Sequence, residues 1–329
     1  MKMKITDFIK KHKRSLIKYG SVFGIFATMI LLAVVTQKTP YSSTRFYSPI
    51  ALNLGFAEIP WYAVFILQGI LLGAFLAYDE FKKLGWNTDI LFDGLLYAVP
   101  LAIVGSRFYD FIFKPDNYSS FLDFIGYVPG EGIQLAGLSI HGAVITTFIF
   151  LIFFSKKKKI NFWVMADIIV IGFFIGQISG RWGNFFNAEA YGPAIESSFI
   201  LKIIPDFILN QMNIRLQGVY YHPTFLYEGI WNFIGLAFLL FSRRKRWFRI
   251  GDSFGFYLIW YGLGRGLIIE PLRARGEIGD AYQGIFGIPA NVLMSLIGFM
   301  LGGILVIWLK RKLIKDQPYY VDMLVNHDV

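Results

Sequence analysis

The chain has 329 residues, 55% of them hydrophobic and only 16% charged, with a mean hydropathy of +0.52. A water-soluble domain carries about a quarter charged residues, so the composition excludes an ordinary soluble fold and points to a helical membrane protein. Cysteine is absent, which excludes disulfides, a thiol nucleophile and thiolate metal sites; the formal charge of +10 falls in clusters between apolar runs, not in a nucleic-acid-reading module.

Residues 1–20 hold Lys2, Lys4, Lys10, Lys11, Lys13, Arg14 and Lys18 ahead of an apolar run at about 21–36. No small-residue cleavage site follows, so the run reads as a retained membrane helix with a cytoplasmic anchor. Residues 37–60 are polar and turn-rich and belong outside. The second helix is expected at 61–78, with Trp61 and Tyr62 at the interface, and Lys82 and Lys83 mark the return inside. The third is expected at 90–113 and the fourth at 137–154, the latter stopped by Lys156 to Lys159. A fifth at 162–179 leads outward into a polar packet at 180–192. Residues 193–222 are too polar to span and are expected to form a small outer subdomain, with short strands around 199–204 and 214–220. The sixth helix is expected at 223–241, before Arg243, Arg244, Lys245, Arg246 and Arg249; the seventh at 251–269; the eighth at 288–309, before Lys310, Arg311, Lys312 and Lys315. The fold class is therefore an all-α polytopic membrane protein of about eight transmembrane helices, with a small extracytoplasmic domain and both termini cytoplasmic. Every basic cluster between helices then falls on one side. Three parts are expected: residues 1–45 with an added helix, a membrane core at 46–315, and a cytoplasmic tail at 316–329.

Several polar residues reach one level at the outer end of these helices: Tyr62, His141, Arg181, Asn184, Asn187, Glu189, His222, Tyr227, Glu228, Tyr261, Arg265 and Glu270. Each has a bland reading too. His141 could bond a neighbouring group, His222 could cap the helix that Pro223 begins, and Tyr62 and Tyr261 could be belt aromatics. Arg265 lies among Leu263, Leu267, Ile268 and Ile269 and needs a counter-anion, for which Glu270, Glu189 or a lipid phosphate would serve. Asn184 and Asn187 share a face only if the fifth helix continues; Gly180 and Gly183 make a broken helix equally open. Two arginines suit a phosphate, because the guanidinium fork bonds two oxygens at once, and a nearby histidine suits a general base. Composition and topology thus reach chemistry on a phospholipid. A transporter or flippase for an anionic lipid or solute is the reading from another class, since intramembrane arginines also occur there.

The stretch at 180–192, Gly-Arg-Trp-Gly-Asn-Phe-Phe-Asn-Ala-Glu-Ala-Tyr-Gly, resembles the signature of the bacterial prolipoprotein diacylglyceryl transferases, Gly-Arg-x-x-Asn-Phe-x-Asn-x-Glu-x-x-Gly, at every specified position. Pro-Trp-Tyr at 60–62, Gly-Ser-Arg-Phe-Tyr at 105–109, Gly-Leu-Ser-Ile-His-Gly at 137–142, His-Pro-Thr-Phe-Leu-Tyr-Glu at 222–228 and Tyr261 with Arg265 are similar to further elements of that family, in order. The likeness covers about 50–310. Residues 1–45 add a helix to the family's seven, Ala143 and Phe225 depart from its pattern, and Glu270 follows Arg265 by five residues instead of four, so that only a π-bulge would return it to the same face.

The resemblance implies transfer of the diacylglyceryl group of phosphatidylglycerol to the lipobox cysteine thiol of a preprolipoprotein, with release of glycerol phosphate, in the bacterial plasma membrane with the active site near the outer leaflet. It implies His141 as the base for the thiol and Arg181 and Arg265 as the phosphate clamp. Tyr62 and Tyr261 would position lipid or thiol, Asn184, Asn187 and Glu189 would orient Arg181, Gly192 would permit a turn, and Glu270 would join the substrate-binding set. No metal, no cofactor and no nucleic acid is expected.

Overall fold

The computed structural model describes residues 5–55, 58–113, 115–118, 120–128, 132–133, 139–275 and 290–325. It is mostly helical. The helices are α1 (Ile5–Val35), α2 (Trp61–Lys83), α3 (Asp89–Phe113), α4 (Phe121–Ile125), α5 (Ile140–Lys158), α6 (Phe162–Asn187), α7 (Ser198–Ile203), α8 (Asp206–Met212), α9 (Thr224–Ser242), α10 (Asp252–Leu263), α11 (Glu270–Arg275), α12 (Ala290–Leu293) and α13 (Gly302–Leu313). A π-helix at Gly264–Ile269 joins α10 to α11, and another at Met294–Leu301 joins α12 to α13. Two small antiparallel hairpins, Ile50–Asn53 with Glu58–Pro60 and Tyr127–Val128 with Gly132–Ile133, are the sheets among the described residues. Six helical segments are long and apolar enough to cross a membrane: Ile17–Val35, Trp61–Lys83, Asp89–Phe113, Phe162–Asn187, Thr224–Ser242 and Met294–Leu313.

Three expectations change. The strands expected around 199–204 and 214–220 are instead the helix α7, begun by the Ser197 hydroxyl accepting from Ile200 N, and a 3-10 turn at Ile214–Leu216. A serine cap before an apolar run competes successfully with β propensity. The fifth helix does not stop at 179 but runs unbroken through Gly180 and Gly183 to Asn187. Its end comes where Ala188 and Ala190 turn left-handed, at φ 51° and 56°. Gln211 of α8 secures that end, donating to the carbonyls of Phe185 (3.0 Å), which also accepts from Ala188 N, and Phe186 (3.1 Å). The seventh helix passes beyond 269, through the π-turn, to Arg275.

The central element is α6, packed against α2, α9 and α10. Asn161 caps its start, accepting from Trp163 N (2.8 Å) and Val164 N (3.4 Å). Glycines let α2 approach closely: a Cβ on Gly73 would stand 3.0 Å from the Gly172 Cα. Backbone cannot yield there as a flexible side chain can. Gly73→Ala is therefore expected to part the two helices and cost about 1–3 kcal/mol, seen as a lower thermal midpoint in detergent.

At the Lys83 end of the bundle, charged groups are closed off by one another. Glu80, 2% exposed, meets Arg243 (3.1 Å), Arg244 and the Tyr320 hydroxyl (3.0 Å), and Lys18 of α1 reaches Asp79 (2.6 Å). Arg243 also lies over the Tyr320 ring at 3.9 Å. The stretch expected as a cytoplasmic tail packs here as far as Val325, whose N–H donates to the Lys83 carbonyl (2.8 Å).

Candidate functional site

The opposite ends of α6, α9 and α10 bring together the second charged cluster. Arg181 stands six residues before the end of α6 and Glu228 lies on the second turn of α9. Arg265 is the second residue of the π-helix, and Glu270 and Arg273 belong to α11. Glu228, 2% exposed, is the centre. Its Oε1 is 3.1 Å from Arg181 Nε; its Oε2 is 3.5 Å from Arg265 Nη1 and 3.7 Å from Arg273 Nη2. Glu270, also 2% exposed, pairs with Arg265 Nη2 and lies 3.6 Å from Arg273 Nη1. Among the described residues, three guanidinium groups thus face two buried carboxylates, an excess of one positive charge.

The π-helix is what makes this set possible. In a regular helix five residues turn through about 500°, placing Glu270 about 140° away from Arg265's face. Here the backbone N–H of Glu270 bonds the carbonyl of Arg265 itself, a five-residue step that brings both side chains to one side.

The signature turn continues the network. Arg181 Nη1 donates to Asn184 Oδ1 (2.9 Å), and Asn184 Nδ2 (2.7 Å) and Asn187 Nδ2 (3.1 Å) both donate to Glu189 Oε1. Glu189 is thus tied to the asparagines, and the counter-anions of Arg265 are Glu228 and Glu270. Asn184 and Asn187 do share a face, because α6 continues. One turn before Arg181, Gln177 donates to the Tyr257 hydroxyl (2.7 Å), a polar floor beneath the cluster. The Tyr257 ring in turn stacks on Tyr261 (6.0 Å, 18°), and Arg265 lies 5.9 Å from the Tyr261 ring centre.

Of the remaining expected residues, Tyr62 opens α2 beside α6. A Cβ on Gly183 would stand 2.9 Å from the Tyr62 Cα and collide with its ring. Gly183→Ala is expected to push Tyr62 outward and cost about 1–3 kcal/mol, measured as a lower thermal midpoint in detergent. Gly192 is not one of the left-handed glycines of the chain. Its N–H donates to the His222 carbonyl (2.8 Å), and a Cβ there would stand 2.9 Å from the His222 Cβ, so its small size serves a close approach and the turn itself is made by Ala188 and Ala190. His222 Nδ1 is 2.9 Å from the Tyr227 hydroxyl, and burial pushes its imidazole below the usual range. His141 lies in the first turn of α5, and its side chain is outside the described residues.

Sequence reasoning gave no role to Glu228, although it stands in a stretch that was singled out, and none to Arg273. The signal was there for Glu228: a carboxylate one turn into an apolar helix, at the level of two unpaired arginines. Arg273 carried no such signal, and its burial at 7% exposure comes only from the packing of α11.

Comparison with known proteins bears on this arrangement. A family model described as prolipoprotein diacylglyceryl transferase matches residues 49–308. A phosphatidylglycerol–prolipoprotein diacylglyceryl transferase of Bacillus velezensis is 40% identical over 275 residues, 83% of this chain and 96% of the relative. One of Streptococcus pneumoniae is 41% identical over 276 residues, covering 83% and 97%, and one of Listeria monocytogenes is 37% identical over 277 residues, covering 83% and 93%. Arg181, Glu228, Arg265, Glu270 and Arg273 all lie within the matched region; α1 does not.

Proposed function

Because the chain belongs to the prolipoprotein diacylglyceryl transferase family, we propose that it moves the diacylglyceryl group of phosphatidylglycerol onto the lipobox cysteine of a preprolipoprotein signal peptide. The cysteine sulfur attacks the terminal glyceryl carbon that bears the phosphate. A C–S bond forms, the C–O bond breaks, and its electron pair leaves on the phosphate oxygen of glycerol phosphate. The thiol proton goes to a base, for which His141 is the candidate; a free thiol is only a few per cent ionised at neutral pH, so a base helps. The observation that carries the reading is the meeting of Arg181 and Arg265, from separate helices, around Glu228, where Arg273 brings the described cluster to one positive charge in excess of Glu228 and Glu270. Negative charge growing on the departing phosphate would be stabilised there, in a medium of low dielectric constant, without reorganisation of water. Tyr62 and Tyr261 would flank the lipid head, and Asn184, Asn187, Glu189 and Glu270 would hold the arginines in place.

The arrangement in the bilayer follows from charge. Taking α5 and the run from α10 to α11 as spans beside the six apolar segments gives eight crossings. With the Lys83 end cytoplasmic by the positive-inside rule, both termini are cytoplasmic, the Arg–Glu cluster lies near the outer leaflet, and residues 193–222 form an outer subdomain. The transport reading has nothing in the named relatives to favour it.

The test uses membranes bearing the protein, phosphatidylglycerol and a lipobox peptide with its cysteine. Peptide mass is expected to rise by one diacylglyceryl unit; no gain in mass would refute the assignment. His141→Ala is expected to lower the rate about a hundred-fold or more at neutral pH, within the range for a general base. Full activity in that variant would leave thiol ionisation to the arginines alone.

A further inference from the structure

Helices α9 and α10 repeat one spacing, Trp-x-x-x-Gly, at Trp231 to Gly235 and at Trp260 to Gly264. One helical turn places each tryptophan and its glycine on the same face. The two indoles stack, with centroids 4.3 Å apart and planes 18° from parallel. Trp231 Nε1 donates to the Trp260 carbonyl and Trp260 Nε1 donates to the Trp231 carbonyl, both at 3.0 Å. Each indole also covers the other helix's glycine: a Cβ on Gly264 would collide with the Trp231 ring, and a Cβ on Gly235 with the Trp260 ring. Every contact is made twice, once in each direction.

Physical necessity explains the pairing. An indole N–H inside an apolar span has no water to bond and must find an acceptor. A helical carbonyl already bonded along its helix still offers a second lone pair. Two such bonds, with two rings seated on two glycines, restrain both sliding along and rotation about the helix axes.

The location gives the pairing its consequence. Glu228 precedes Trp231 by three residues. Gly264 is the first residue of the π-helix and Arg265 the second. The interlock therefore lies immediately beneath the contact between Glu228 and Arg265, and the collar it forms on Gly264 is where the π-turn starts.

We infer that Trp231, Gly235, Trp260 and Gly264 form a reciprocal clasp that sets Arg265 against Glu228, which makes the two tryptophans positioning residues for transfer. The inference rests on the proposed role of the arginine–glutamate cluster. The indoles hold the backbone that aims a guanidinium, and their loss affects the step in which charge develops on the phosphate more than it affects lipid binding.

Full-length Trp231→Phe and Trp260→Phe, in membranes containing phosphatidylglycerol, keep an aromatic ring and remove only the donor and part of the stack. Each is expected to lower kcat per folded enzyme about tenfold, the scale of a small misplacement, with KM for the lipid changed by less than about twofold. The double variant should fall short of the product of the single losses, because both bonds hold one interface. Gly264→Ala, which wedges the clasp without removing a tryptophan, should show the same split, and it carries the test should a phenylalanine variant fail to insert. Gly73→Ala supplies the comparison: a loss of thermal stability with kcat per folded enzyme unchanged. If the clasp variants behave like Gly73→Ala, the inference is overturned. An inactive parent protein instead overturns the proposed function, so the two failures are distinct.

Discussion

Glu228→Gln is expected to lower the rate of transfer at least a hundred-fold and to destabilise the folded protein by about 3–5 kcal/mol, the usual cost of removing one partner from a buried ion pair. Glutamine has nearly the same shape, so packing is preserved and only the charge is lost. The excess on the cluster then doubles, from three arginines against two carboxylates to three against one. Arg181, Arg265 and Arg273 would repel one another, and the side chains that share Glu228 would no longer be drawn to a common point. The checks are the thermal midpoint in detergent and kcat/KM with a lipobox peptide. Rates within about threefold of the parent would mean that Glu228 is a bystander, a result incompatible with a loss of about 2.7 kcal/mol for each hundred-fold.

Arg265→Lys is the second large effect. The substitution keeps the positive charge, so a purely Coulombic role would tolerate it. Arg265, however, spans two acceptors with one planar fork, Nη1 toward Glu228 and Nη2 toward Glu270. An ammonium is a compact point charge on a flexible stem and cannot reproduce that bridge. We expect kcat to fall about 10²–10³-fold, the range for removing a donor aimed at developing negative charge, with a smaller change in KM for phosphatidylglycerol while Arg181 remains. Steady-state kinetics over a range of lipid concentrations separates the two terms. Turnover close to that of the parent would show that charge alone suffices.

Both predictions concern residues that a reader of the chain could see but could not connect. The apolar runs and the basic clusters between them were readable, because hydrocarbon penalises every polar group and loops keep their charges in water. The signature turn was readable for the same reason: Arg181, Asn184, Asn187 and Glu189 crowd together where a span should be losing polar groups. The ends of elements were less so. Gly180 and Gly183 left a break and a continuous helix equally open; the helix runs on, Gly183 giving Tyr62 room and the polar side chains bonding to one another. Residues 199–204 looked like a strand until the cap at Ser197 is considered.

Hydropathy and charge along the chain settle that this protein is helical, apolar enough to cross a membrane several times, and equipped with arginines that require anionic partners. Which anion meets which arginine depends on how helices distant in sequence rotate and slide against each other, and no local pattern carries that information. Glu228 becomes the hub only because α6, α9 and α10 pack together. Glu270 reaches Arg265 only because six residues of π-helix, lying beside a pair of interlocked indoles, replace an ordinary helical stretch.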